Sequence, residues 1–320
     1  MTAERGTPAE TGAVESRTVE LKGDGAPPAI PPGILARALR WTVRTVRAVA
    51  AQPLGGLSLA LVALLFAGAL LAPWLATHDL AAIDLGARFE GPSASHWLGT
   101  DHLGRDTWSR VLYGLRVALR VALSATAIAL ALGLVLGLLA GLGPRWLQAP
   151  LVLAFDTVSA FPTLLFALAV VTLFGPSTTT VILLVAISYA PSYGRMVRTQ
   201  SAALRSAEFL QAERSMGVSL PRLLLVHALP NVIGPLLIVA SMDVPVVITI
   251  EAGLSFLGLG VQPPTPSAGS ILNDGYTFLR NTPWLALAGA APLVLATLGF
   301  TFLGEALRDA LDPRLGRGRP

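Results

Sequence analysis

Cysteine is absent from this 320-residue chain, which removes disulfides, thiolate metal sites and cysteine nucleophiles from consideration. Lysine is nearly absent: Lys22 is the only one among 23 basic residues, and it stands in no GxxxxGK(S/T) sequence. The chain therefore has no phosphate-binding loop and cannot be an ATPase of that kind. Four histidines, His78, His96, His102 and His227, are accompanied by no GxSxG nucleophile motif, which disfavours a serine hydrolase. Charge is scarce as well, at 13% of residues. What remains is apolar: 53% hydrophobic residues and a mean hydropathy of +0.65 are too much for a soluble domain of this length. The chain reads as an integral membrane protein. Its basic pI of about 10.1 comes from arginines beside apolar runs, a pattern of membrane topology rather than of nucleic-acid binding.

Residues 1–33 are rich in Gly, Pro, Thr, Glu and Ala, lack helical periodicity and read as a disordered tail. Over 34–53, Arg37, Arg40, Arg44 and Arg47 share one helical face opposite Leu35, Leu39, Val43 and Val46, the pattern of an interfacial amphipathic helix against lipid. A bilayer core needs about 20 apolar residues per helix. Six segments meet that rule: 54–76, 121–142, 151–173, 178–193, 231–253 and 284–304, with Gly175-Pro176 dividing the third from the fourth. The expected architecture is an all-α polytopic membrane protein with six transmembrane helices. A first helix and its loop fill 54–120, and a core domain fills 121–320. Placing both termini in the cytoplasm puts 17 Lys and Arg inside and 6 outside. Five of the outside arginines, Arg88, Arg105, Arg110, Arg116 and Arg120, crowd the first loop and its exit and argue against this orientation. A surface helix presenting Asp106, Ser109, Tyr113, Arg116 and Arg120 opposite Val111, Leu112, Leu115 and Leu119 would accommodate them.

The most informative segment is polar. Between the fourth and fifth spans, FLQAERSMGVSLPRLLLVHALPN (Phe209 to Asn231) reads as a helix, a glycine break and a second helix ending at Leu229-Pro230-Asn231. Ser206 suits an N-cap, with Glu208 in the first turn at the positive end of the dipole. Gly217 suits a left-handed terminator, and Ser219 a second cap with Pro221 tolerated in the following turn. Such a hairpin over 206–229 suits the docking of another subunit.

Acids inside apolar spans are costly and face a bundle interior or cavity, which makes Asp156, Asp243 and Glu251 candidates for a pathway or for buried structural hydrogen bonds. If they carried ions, the chain would be an ion-coupled secondary transporter. His96, Asp101 and His102 have metal-ligand chemistry but no spacing of a defined site, and no metal is expected. Gly133, Gly137 and Gly141 form a small-residue stripe suited to helix packing.

From about Trp97 onward the chain resembles the inner-membrane permease subunits of binding-protein-dependent ABC importers, in the second-permease branch of the dipeptide, oligopeptide and nickel group. The resemblance is carried by LGTDHLGRDTWSRVLYGLRVAL (Leu98 to Leu119), FPTLLFALAV (Phe161 to Val170), the hairpin, EAGLSFLGLGVQPPTPSAG (Glu251 to Gly269) and LGEALRDALDPRL (Leu303 to Leu315). It implies a type I importer permease fold in a bacterial or archaeal cytoplasmic membrane. It also implies a homologous second permease, two ATP-binding subunits that hold ATP and Mg, and an extracytoplasmic solute-binding protein, with di- and oligopeptides as the expected substrate class. No cofactor would be bound by this chain. In the family the hairpin sits in a groove on the ATP-binding subunit, which transfers here to Glu208, Gln211, Ala212, Glu213, Met216 and Gly217. One departure stands out. The family's Glu followed by two alanines is here Gln211-Ala212-Glu213, which moves the acid two positions, nearly to the opposite helix face. Either Glu208 or Glu213 supplies the contact, or the partner's groove differs.

Overall fold

A computed structural model describes residues 34–311 except 206, 209, 210 and 212–214, and the side chains from residue 42 onward. The tail before residue 34, Ser206, Ala212 and Glu213 lie outside the described residues. The chain divides into Met1–Trp41 and Thr42–Pro320. The described part of the first unit is the opening of helix α1 (Ile34–Ala50), where the amphipathic helix is expected.

Within the second unit the described secondary structure is helical. Helix α2 (Pro53–Leu70), short α3 (Ala72–Leu75), α4 (Thr107–Leu142), α5 (Arg145–Ser159), α6 (Thr163–Phe174), α7 (Thr178–Leu204), α8 (Leu229–Phe256), α9 (Ala268–Thr277) and α10 (Pro283–Leu311) follow in order. Five, α8 being taken with the turns from Leu220 that lead into it, are long and apolar enough to cross a membrane alone, and α5 with α6, bent by 90°, makes a sixth when the pair is counted as one broken span. The six expected spans are therefore present, with three changes of extent.

First, residues 106–120 do not form a separate surface helix. They are the opening turns of α4, which runs unbroken for 36 residues. At 1.5 Å per residue that is about 54 Å, well beyond a ~30 Å apolar slab, so α4 projects from the bilayer. Its expected apolar side, Leu112, Leu115 and Leu119, is buried, while Arg116 and Arg120 are exposed. Second, the third span breaks at 160–162 because Pro162 follows Phe161, and a residue before proline is pushed out of the helical region. Third, α7 continues 11 residues past the expected end at Tyr193. Gly175, with φ 78°, makes the turn between α6 and α7 in the left-handed region that glycine favours.

The most extensive helix–helix contact among the described residues is α4 against α7. The glycine stripe is the reason: Gly133 faces Tyr193 and Ala190, Gly137 faces Gly194 and Val197, and Gly141 faces Ser201. A Cβ built on Gly137 would lie 2.6 Å from the Gly194 carbonyl oxygen, so no larger residue fits without parting the helices. In an apolar solvent, where lipid tails compete equally for apolar side chains, such close backbone approach is what holds helices together. Phe155 of α5 closes the other side of Gly194.

Two apolar clusters flank this contact. Toward the loop end, Val62, Leu65, Leu119, Val121, Val181, Leu184, Ile248 and Phe300 gather α2, α4, α7, α8 and α10. Toward the hairpin end, Leu138, Leu142, Tyr193, Val197, Leu223, Leu224 and Leu236 join α4, α7 and the segment leading into α8.

Replacing Gly137 with alanine should cost about 1–3 kcal/mol through overpacking, read as a lower thermal midpoint of the detergent-purified protein. Gly253, also in a membrane helix, has nothing within 4 Å of a Cβ, so Gly253→Ala should leave the midpoint unchanged or raise it. Equal midpoints for the two variants would remove the α4–α7 contact from its central place.

Candidate functional site

The hairpin grows out of α7. Arg205, one residue past its end, donates from Nη2 to the Gly141 carbonyl of α4 at 2.5 Å, tying the exit of the span to its packing partner. The Gln211 N–H donates to the Ala207 carbonyl, and the Ser215 hydroxyl to the Gln211 carbonyl, both four residues back as in a helix. Glu208, Gln211 and Met216 are exposed. Met216 stands at the tip with 70% of its surface open, unusual for a large apolar side chain outside lipid.

Gly217 has φ 76°, the left-handed conformation expected of a helix terminator. Ser219 occupies an N-cap position in extended conformation, yet its hydroxyl makes no capping hydrogen bond. The second leg also departs from expectation. It does not end at Pro230. Leu220–Arg222 passes through a π-helical turn, Leu223–Ala228, directly into α8. Pro230 lacks an N–H, and the wider π turn absorbs the register that the missing donor disturbs. Leu223, Leu224 and Ala228 are buried against α4 and α7, so the return leg is part of the bundle. A hollow of about 550 Å³, lined by Gly143, Arg145, Gln148, Arg205, Val218 and Leu220 among others, lies between this leg and the α4–α5 corner.

The three intramembrane acids have three separate settings. Glu251 is fully buried near the end of α8 and accepts from the Ser255 hydroxyl at 2.8 Å. Ser255 in turn accepts from the Val261 N–H. The second Glu251 oxygen has no hydrogen-bond partner among the described residues. Asp243 is half-buried beside Tyr189 and Tyr193. Asp156, at the end of α5, is exposed and 3.6 Å from Arg195 of α7. Arg195 escaped sequence reading because only the fold reveals its pairing.

At the other end of the bundle, the first loop carries a polar cap. Asp101, fully buried, accepts from the Leu103 and Arg105 N–H groups and from Arg105 Nε at 2.7 Å, with Arg110 Nε at 3.4 Å. Asp274 of α9 lies 3.9 Å from Arg105 and 3.8 Å from His102, whose ring stacks on Phe278. Two of the arginines that argued against the expected orientation are thus neutralised by buried acids. His96 is parted from Asp101 and His102. It pairs with Asp106 at 2.9 Å, with His78 3.7 Å from the same oxygen. Asp106 is the N-cap of α4, accepting the Ser109 N–H at 2.8 Å, while the Ser109 hydroxyl receives the Thr77 and His78 N–H groups. An Asp just ahead of a helical run was the sequence signal for this cap. Burial of Asp274 pushes its carboxyl up, against the pull of His102, Arg110 and Arg105. Burial would raise Asp106 too, but hydrogen bonds from Ser109 and His96, helped by His78, outweigh it and hold the carboxyl below the usual range.

A polytopic helix bundle with a buried polar cap at one end and, at the other, a polar hairpin whose return leg runs unbroken into α8 has the form of a membrane transport subunit. The comparisons define it further. Residues 133–317 match the model of the binding-protein-dependent transport system inner membrane component, and the chain belongs to that family. The chain is 38% identical to the dipeptide transport system permease protein DppC of Alkalihalophilus pseudofirmus, over 77% of this chain and 81% of that one. It is also 38% identical to the glutathione transport system permease protein GsiD of Salmonella paratyphi A, over 82% and 85%. A chain from the inward-facing MetNI methionine ABC transporter aligns with a TM-score of 0.49 and 16% identity over 63% of this chain and 97% of that one, too weak a likeness to build on. The protein is a multi-pass inner-membrane permease subunit of a binding-protein-dependent ABC importer, working with ATPase subunits and a solute-binding protein.

Because the Asp106 carboxyl is lower in the folded protein than its unfolded value of about 3.9, its stabilisation is complete above that value and lost as acid protonates the folded group. Asp106→Asn should therefore lower stability by about 1 kcal/mol at neutral pH, the excess of a charged over a neutral acceptor. In thermal melts the difference should close below about pH 4. A gap of constant size across pH would contradict this assignment.

Proposed function

We propose that this permease imports di- or oligopeptides, and that the hairpin over 206–229 is the element through which ATP drives it. The observation that carries the reading is the continuity of the hairpin with the bundle. Its first leg leaves α7 through the Arg205–Gly141 contact, and its second leg enters α8 without a break. Through the return leg, a displacement of the tip meets an unbroken helical path into the bundle from Leu220 onward. The hairpin faces the cytoplasm, with both termini on the same side. Two ATP-binding subunits carry ATP and Mg, one of them receiving this hairpin, and a homologous second permease encloses the path. Glu208, Gln211, Ala212, Glu213, Met216 and Gly217 form the contact surface. Substrate arrives from an extracytoplasmic binding protein.

ATP binding brings the two ATPases together, the hairpin moves as a rigid body, and the bundle exchanges inward-facing for outward-facing states of similar energy. The names of the relatives support the peptide class: dipeptide in one, glutathione, itself a small peptide, in the other. The scattered settings of Asp156, Asp243 and Glu251 weigh against an ion relay through them.

Gly217 tests the rigid-tip idea. A Cβ there meets nothing within 4 Å, so the effect of a side chain is confined to the left-handed backbone, which costs an ordinary residue roughly 1–2 kcal/mol and a β-branched one more. Gly217→Val should insert normally and still lose most ATP-driven peptide uptake in vesicles that hold all subunits. Wild-type uptake in that variant would remove the hairpin from the transmission path, and uptake that ignores ATP but follows an ion gradient would overturn the importer reading itself.

A further inference from the structure

The Asp156–Arg195 pair is in the wrong place for lipid. Helix α7 is 27 residues, about 40 Å long, and Arg195 lies about 25 Å from its loop end and about 14 Å from its hairpin end, so a ~30 Å apolar slab that begins at the loop end still contains it. Its neighbour Gly194 packs on Gly137 of α4 and on Phe155 of α5, which sets Asp156 at the same level. Yet the two side chains are open, 62% for Asp156 and 42% for Arg195, although they lie 3.6 Å apart.

The backbone is irregular at this level too. The span breaks by 90° between Ser159 and Thr163, and Ser159, Ala160, Phe161 and Pro162 are all exposed. Arg195 Nη1 donates to the Ser159 hydroxyl at 2.9 Å and to the Phe155 carbonyl at 3.4 Å, so the arginine is fastened to the break itself. Non-helical backbone at membrane depth survives only where it is buried in protein or lines water, and charged side chains there face a bundle interior or an aqueous cavity. Charges of both signs, a hydroxyl and a helix end together make a polar station.

We infer that Asp156, Arg195 and Ser159 form a charge-paired station on the water-filled translocation path, which takes the opposite charges of a zwitterionic solute. A solute ammonium replaces Arg195 beside Asp156, and a solute carboxylate replaces Asp156 beside Arg195. The two side chains close on each other again when the solute moves on. The station deepens the importer reading, but its water access and its two charges are measurable without knowing the solute.

The absence of cysteine makes the test direct. Asp156→Cys, Arg195→Cys and Ser159→Cys are each reconstituted with the partner subunits. Each is reacted with anionic sulfonatoethyl and cationic trimethylammonioethyl methanethiosulfonate, with and without a non-hydrolysable ATP analogue. Rates are referred to Ala82→Cys in the exposed first loop. All three thiols should react in at least one nucleotide state. Asp156→Cys, beside an unpaired Arg195, should favour the anionic reagent by at least about fivefold, and Arg195→Cys should favour the cationic one by a similar factor. Ser159→Cys, which keeps the ion pair, should show neither preference. Thiols that stay unreactive in both states while Ala82→Cys reacts would place the pair against lipid or a protein surface and overturn the station. Equal reagent preference in the two charge-removed variants would overturn the charge-clamp role. Vesicle uptake by the unsubstituted chain is measured separately, so that a failure of ATP-driven import is not confused with either result.

Discussion

Close backbone contact between α4 and α7 is the constraint on which the rest of the bundle depends. In water, burial of apolar surface would drive these helices together, but lipid removes that advantage, and shape must replace it. Gly133, Gly137 and Gly141 lower one helix surface so that Tyr193, Gly194, Val197 and Ser201 can sit directly on it. Both apolar clusters are arranged around that seam, and Phe155 extends it to the broken span.

The hairpin gains its mechanical meaning from the same seam. Arg205 holds the last carbonyls of α4 at the point where α7 ends, and Leu223 and Leu224 bury the returning leg in the cluster that α4 and α7 share. The exposed tip at Met216 and Gly217 is thus joined to α8 by a return leg that runs unbroken from Leu220. Across the bilayer, the buried Asp101–Arg105–Arg110 network and the Asp106 cap fix the projecting end of α4.

Much of this was legible in the sequence, for identifiable reasons. Long apolar runs located all six spans, the glycine spacing located the α4 face that packs, and Gly217 announced the left-handed turn. The failures are equally physical. Helix α4 was cut short because Arg110, Arg116 and Arg120 interrupt its hydropathy, and although Asp101 lies close to Arg105 and Arg110 in sequence, Asp274 comes from α9, far away. The break at 160–162 hid inside the apolar run 151–173, whose hydropathy does not fall at Pro162. Pro230 looked like a terminator, although a π turn lets the chain pass it. Arg195 counted only as a basic residue near a span end, since its pairing with Asp156 exists only once α5 folds onto α7.

The claim that the hairpin is the point of ATPase engagement is tested most directly by cross-linking, since every thiol introduced into this chain is the only one it has. Met216→Cys, treated with a short bifunctional maleimide in the assembled transporter, should join this chain to an ATP-binding subunit and arrest ATP-driven uptake. Trp74→Cys, equally exposed at the opposite end of the bundle, should give no such product. An adduct with the ATP-binding subunit from position 74 and none from position 216 would contradict both the orientation and the coupling role of the hairpin.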